Sequence, residues 1–192
     1  MNRLAGMKCY LIGAMDRVAD GGVGWRREIT PWLQTRGVFV LDPSDKPILG
    51  ARREEEGRDH IHQLKERGEY DMIRALYGDD IRGNDLRFVD ESSFLICYLD
   101  MDQHPCGTYE EWFTANRDKK PIITVVKQGK KAAPNWLFLA INHQLIFGSF
   151  DEAKEYLEHI NTYPHKIETF NRWRFFDWAR LVRETCALHG AF

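Results

Sequence analysis

The sequence predicts an α/β protein, a buried parallel sheet covered by helices, and three features carry that prediction. Short apolar runs of the kind that fill buried strands recur at residues 9–12, 93–99 and 121–126. Between the first of these and the apolar run at 38–41, Ile29, Trp32 and Leu33 fall three to four apart, as one face of a helix requires. Strand, helix, strand is the opening of a βαβ unit. The segment 84–112 then sets a carboxylate, a buried strand, a glycine and a second carboxylate in order. That order brings acidic groups to the carboxyl end of a strand, where open α/β sheets bind ligands.

Taken in turn, Cys9-Tyr10-Leu11-Ile12 ends at Gly13 as a first strand, and Asp20-Gly21-Gly22-Val23-Gly24 forms a glycine-rich turn before the helix of residues 25–36. Gly37 fits a helix C-cap ahead of the strand at 38–41. Asp42-Pro43-Ser44-Asp45-Lys46-Pro47 breaks regular structure. Residues 51–70 are densely charged and read as a solvated helix or insertion, or else as a lid. A helix is expected over 72–86, with Met72, Ile73, Leu76, Ile81 and Leu86 inward and Gly78 and Gly83 interrupting it. Residues 93–99 form the strongest strand, a helix leaves the turn at Glu110-Glu111, and 121–126 is the next strand. Residues 134–139 fit either type, and 145–147 read as a last short strand. Ser149 followed by Glu152 resembles a capping box opening a helix to Ile160. The aromatic and basic tail, with Trp178, Leu181, Val182 and Thr185 at helical spacing, is expected as a helical extension over 163–192. It would pack on the 1–162 domain or on a partner subunit.

Composition narrows the function classes. With 43% hydrophobic and 12% aromatic residues in 192, the chain suits one folded domain. A net charge of -2 argues against nucleic acid or an acidic membrane as the main partner. No apolar run approaches the ~20 residues of a membrane span. The start is too short and polar for a signal peptide, so the expected location is the cytoplasm. The four cysteines are scattered without a CxxC pair, which predicts neither disulfides nor a zinc site. Asp79, Asp80, Asp85 and Asp90 lack a diagnostic metal spacing, and no metal or other cofactor is expected. Cys106, with His104 near it, is a subordinate candidate for a reactive thiol.

Four pieces in order resemble the nucleoside 2-deoxyribosyltransferase family over roughly residues 8–160: Tyr10-Leu11-Ile12-Gly13; Val40-Leu41-Asp42-Pro43; Asp85-Leu86 with Asp90; and Gly107-Thr108 with Glu111, followed by Lys120-Pro121. The resemblance implies a flavodoxin-like (Rossmann-like) parallel sheet flanked by helices, to which the charged insertion and helical tail are additions. It implies cleavage of the N-glycosidic bond of a nucleoside, with the 2-deoxyribosyl group passing to another nucleobase through a covalent glycosyl-glutamate. The alternatives are hydrolysis of a nucleoside 5′-monophosphate, or a nucleotide-binding module without turnover.

Residue by residue, the resemblance makes Glu111 the nucleophile, with Glu110 its competitor, and Tyr10 the hydroxyl that holds it. Asp85 becomes the second acid, and Asp90 a substrate contact. Gly107 is assigned the turn before the nucleophile, and Thr108 beside it a substrate contact. The family's acid ahead of that glycine is replaced here by Pro105, leaving Asp102 upstream as the substitute. Asn142 resembles an asparagine contributed by a neighbouring subunit, which implies a homo-oligomer. A phosphate would be met by Gly13, the 21–24 turn and Arg26. The chemistry fits the residue types, because a carboxylate can capture the oxocarbenium character that develops as the C1′–N bond breaks.

Overall fold

The computed structural model describes residues 2–16, 18–49, 54–163 and 167–189. Five strands form one sheet: β1 (Lys8–Gly13), β2 (Phe39–Leu41), β3 (Phe94–Leu99), β4 (Ile122–Val126) and β5 (Ile146–Phe147). They lie in the order β2-β1-β3-β4-β5, and every pairing is parallel. This is the flavodoxin-like order, with its topological switch point between β1 and β3.

Alternation along the strands builds two cores. Cys9, Leu11, Phe94 and Ile96 face one side, where α1 (Val23–Gln34) brings Ile29 and Leu33 and α7 (Phe150–Thr162) brings Leu157 and Ile160. Tyr10, Ile12, Leu95 and Cys97 face the other, covered by α4 (Asn84–Glu91), α5 (Cys106–Arg117) and α6 (Asn135–Ala140). Ser149 caps α7, its Oγ accepting from the Glu152 N–H, and Glu152 Oε2 reaches back one residue further to accept from the Gly148 N–H.

The tail turns back onto the first core. Trp173 is buried there, its ring 5.2 Å from that of Phe94 and its Nε1 donating to the Tyr156 hydroxyl at 3.1 Å. Beyond it lies α8 (Trp178–His189). Among the described residues no helix is long and apolar enough to cross a membrane.

One sequence expectation holds in its helical form and one needs correction. The charged stretch holds α2 (Glu54–Glu66), which meets α3 (Tyr70–Tyr77) where His60 Nδ1 lies 2.6 Å from the Tyr77 hydroxyl, its ring edge-on to the phenol. The helix expected over 72–86 is in fact α3, a π-helical segment Gly78–Gly83 and α4, which runs on to Glu91. A π turn adds a residue to the repeat and rotates the faces on either side of it. Met72 is exposed, Tyr77 at the end of α3 is buried, and beyond the π segment Asp85, Phe88 and Val89 point inward.

Candidate active site

A cleft of about 230 Å³ opens at the switch point. Its walls are the carboxyl end of β1 (Gly13 to Asp16), Ile81 of the π segment, Asp85 of α4, and His104 to Thr108 with Glu111.

Glu111 is 9% exposed at the cleft wall, and its Oε1 accepts a 2.5 Å hydrogen bond from the Tyr10 hydroxyl beneath. Tyr10 is fully buried, with its ring edge-on to Phe88 at 5.4 Å. Burial pushes the phenol well above its ordinary range, and the charges of Glu111 and Asp85 push it further. It therefore stays protonated and serves as a donor. The next residue fixes the helix: Trp112, fully buried, donates from Nε1 to Thr124 Oγ1 at 3.0 Å on β4.

Successive helical residues point about 100° apart, so Glu110 faces solvent. There both of its oxygens are held by the Arg82 guanidinium, which keeps the carboxyl below its usual range. Helix α5 begins at Cys106, earlier than its sequence suggests, so Glu111 stands in the second turn rather than the first. Gly107 is an ordinary helical residue without positive φ, not a turn glycine. A Cβ built on it would meet nothing within 4 Å. Its missing side chain leaves room in the cleft.

Asp85 is paired with Lys46, whose Nζ lies 2.7 Å from Oδ1; both side chains are nearly buried. Lys46 comes from the loop after β2, where Asp42 Oδ1 accepts from the Ser44 N–H and hydroxyl and lies 3.7 Å from Arg26 Nε. Arg26 is fully buried, donating to the carbonyls of Leu11, Gly13 and Gly22. It stitches the end of β1 to the glycine turn. Gly22 has φ +73°, and a Cβ there would lie 2.4 Å from the Ala14 carbonyl oxygen, so the turn requires glycine. The start of α1 is already occupied by an anion of the chain itself. Asp20 accepts from the N–H groups of Gly22 (2.9 Å) and Gly24 (2.8 Å), which hold its carboxyl below the usual range.

The fold thus gathers Glu111, Asp85, Gly13, Gly107, Thr108 and Arg26 around one cleft, with Tyr10 under its floor. Three expected contacts lie elsewhere. Asp90 is exposed, and its carbonyl accepts from Lys120 Nζ at the amino end of the sheet. Asp102 is exposed in the loop before α5, accepting from Gln128 Nε2 at 3.1 Å. Asn142 caps a 3₁₀ turn, its side chain accepting from the Gln144 N–H. Sequence reasoning missed Lys46 and also Asp16, which lines the cleft and meets His62 of α2 at 3.1 Å. The Asp-Pro-Ser-Asp-Lys-Pro loop at a strand's carboxyl end was the available signal for Lys46. Among the described residues no group of three or more His, Cys, Asp or Glu is gathered as a metal site.

No protein-family model matches the chain, and no curated protein matches it. Among solved structures it is similar to BcmB, a CMP N-glycosidase of Clostridium botulinum, at a TM-score of 0.40 and 16% sequence identity. The match covers 81% of this chain and 99% of that one. The fold assignment rests on the strand order, and the chemistry on the cleft.

Proposed function

We propose that the protein cleaves the N-glycosidic bond of a nucleoside or nucleotide by covalent catalysis at Glu111. The observation that carries this reading is a nearly buried carboxylate held by a buried phenol at the wall of a cleft. A carboxylate so held is oriented by the phenol, which suits attack on an electrophilic carbon. In the first step a Glu111 oxygen bonds to C1′ and the C1′–N bond breaks. Its electron pair leaves with the base, which takes up a proton from solvent. In the second step the acceptor bonds to C1′ and gives up its proton to solvent, while the C1′–O bond to Glu111 breaks and the carboxylate is regenerated.

Asp85, backed by the Lys46 ammonium, is suited to accept hydrogen bonds from sugar hydroxyls. The leading acceptor is a second nucleobase, giving 2-deoxyribosyl transfer; water, giving hydrolysis of a 5′-monophosphate, is the alternative. Asn142 does not line the cleft of its own chain. It would serve a neighbour's, and the exposed Trp136 and Leu139 of α6 nearby are consistent with a homo-oligomer.

The test is a product assay on deoxynucleosides and their 5′-monophosphates, with and without free adenine or cytosine. A new nucleoside formed only with added base establishes transfer. Free base released without an acceptor establishes hydrolysis. Glu111→Ala should reduce either activity to background while Glu110→Ala stays within about threefold of wild type, since surface ion pairs contribute little. Equal activity in all three proteins would sink the assignment.

A further inference from the structure

A second cavity, about 410 Å³, lies at the opposite pole of the sheet, where Met7, Ser93 and Pro121 lead into β1, β3 and β4. Its lining is unlike the rest of the surface. Arg3, Lys8, Lys119, Lys120, Arg172 and Arg174 contribute six basic side chains, against the two carboxylates of Glu91 and Asp118. The whole chain has 27 basic and 29 acidic residues, so this cavity concentrates positive charge on a weakly acidic protein.

The charge is only partly offset locally, with Asp118, Asp90 and Glu91 acting on Lys120. Lys8 pairs with Glu91 at 2.6 Å. Among the described residues, however, the side-chain hydrogen bonds of the others go to uncharged oxygens. Arg172 donates to Asn116 Oδ1 and the Lys120 carbonyl, Arg174 to the carbonyls of Asn171 and Trp173, and Arg3 to those of Asn161 and Thr162. Lys120 Nζ donates to three carbonyls at the end of α4. Burial holds the Lys120 and Arg172 side chains below their ordinary basicity, and on Lys120 the carboxylates of Asp118, Asp90 and Glu91 offset that only in part.

The cavity also has an aromatic wall. Phe176 and Trp178 lie with ring centroids 5.6 Å apart, and both are at least half exposed. The Trp178 indole lies against Gly6, where an added Cβ would come within 3.1 Å of it. The wall is thus seated on the domain while its ring faces remain available for stacking.

We infer that this cavity is a second ligand site, separate from the cleft, for a small anion carrying a planar ring: the chemistry of a mononucleotide. Guanidinium and ammonium groups meet the phosphate, and the two rings offer a stacking surface. The volume falls in the range of pockets that enclose a single small ligand. A chain of net negative charge is a poor match for a long polyanion, which favours the mononucleotide over a strand.

The experiment is calorimetric titration of the whole protein with AMP, inorganic phosphate and a ten-residue deoxyadenosine strand. The proteins compared are wild type, Glu111→Ala, Arg174→Glu and Phe176→Ala. Arg174 and Phe176 are exposed, so neither substitution threatens the fold. A binding event for AMP that persists in Glu111→Ala, and weakens at least tenfold in Arg174→Glu and fivefold in Phe176→Ala, supports the site. AMP also protects residues 118–121 and 174–178 from hydrogen exchange in that case. The inference is overturned if AMP fails to bind, or binds equally to wild type and Arg174→Glu. Phosphate binding as tightly as AMP, with no loss in Phe176→Ala, overturns the aromatic part of the assignment. A strand binding more than tenfold tighter per site than AMP overturns the mononucleotide. Because Glu111 lies at the other pole, failure here leaves the proposed catalysis untouched, and the reverse also holds.

Discussion

Tyr10→Phe isolates the bond on which the proposed chemistry depends. The substitution removes one hydroxyl and keeps the ring, so the edge-on contact with Phe88 at 5.4 Å survives. What disappears is a single 2.5 Å donor to the Glu111 carboxylate. Hydrogen bonds to charged groups contribute about 1.5–3 kcal/mol. At about 1.36 kcal/mol per factor of ten, the loss corresponds to a fall of roughly 10- to 150-fold in kcat/KM.

Tyr10 lies under Glu111 rather than at the cleft lining. It is a positioning residue, and the loss should appear in kcat with KM within about twofold of wild type. Removing a donor to the ionised form should also move the acid limb of the pH–rate profile to higher pH. The assay is steady-state release of free base from pH 4 to 9, on protein whose near-ultraviolet circular dichroism matches wild type. A folded Tyr10→Phe variant with unchanged kcat, or one whose entire loss is in KM, would refute the role given to the phenol.

Other consequences can be checked directly. Gly107→Ala should raise Tm by one or two degrees, because alanine is favoured by about 0.5 kcal/mol or more at a helical position and meets nothing within 4 Å. It should also raise KM by intruding on the cleft, and an unchanged KM would mean that substrate does not pass there. Trp173→Ala should cost about 3–5 kcal/mol in urea denaturation, as for other buried tryptophans, whereas a loss below about 1 kcal/mol would mean that the tail is not part of the core. Alkali should weaken the fold. Burial raises the Cys9 and Cys97 thiols and the Tyr10 phenol, so the unfolded chain releases those protons first. The contribution is complete below about pH 8.5 and is lost as pH rises beyond the ordinary cysteine and tyrosine values, with the half-buried Lys120 opposing it. Urea midpoints at pH 7, 9 and 10.5 would decline in that order, and a flat series would contradict the burial of these groups.

The parts of this molecule that sequence makes legible are those governed by short-range pattern. The runs at 9–12, 93–99 and 121–126 are strands because apolar residues that fill both faces of a buried sheet admit little else. Glu111 and Asp85 do reach one cleft, since strand ends converge at the switch point. The start of α5 was obscured because Pro105 and Gly107 look like turn residues, yet proline is tolerated at a helix start and this glycine is helical. The π segment was invisible because no sequence period marks it, and it sets how the Asp85 face of α4 is turned relative to α3. Lys46 was missed for a different reason. Its partner is 39 positions away, and only the adjacency of the β2 loop and α4 brings them together.

Asp20 has a consequence for the choice between free and phosphorylated sugars. By filling the start of α1 with its own carboxylate, the chain carries a built-in competitor at the spot where many nucleotide-binding folds seat a phosphate. An incoming phosphate gains those two amides only by evicting a ligand that is covalently tethered and therefore always at high local concentration. Preference for a 5′-phosphate must accordingly be earned at other contacts in the cleft, while an uncharged sugar can enter without disturbing the turn.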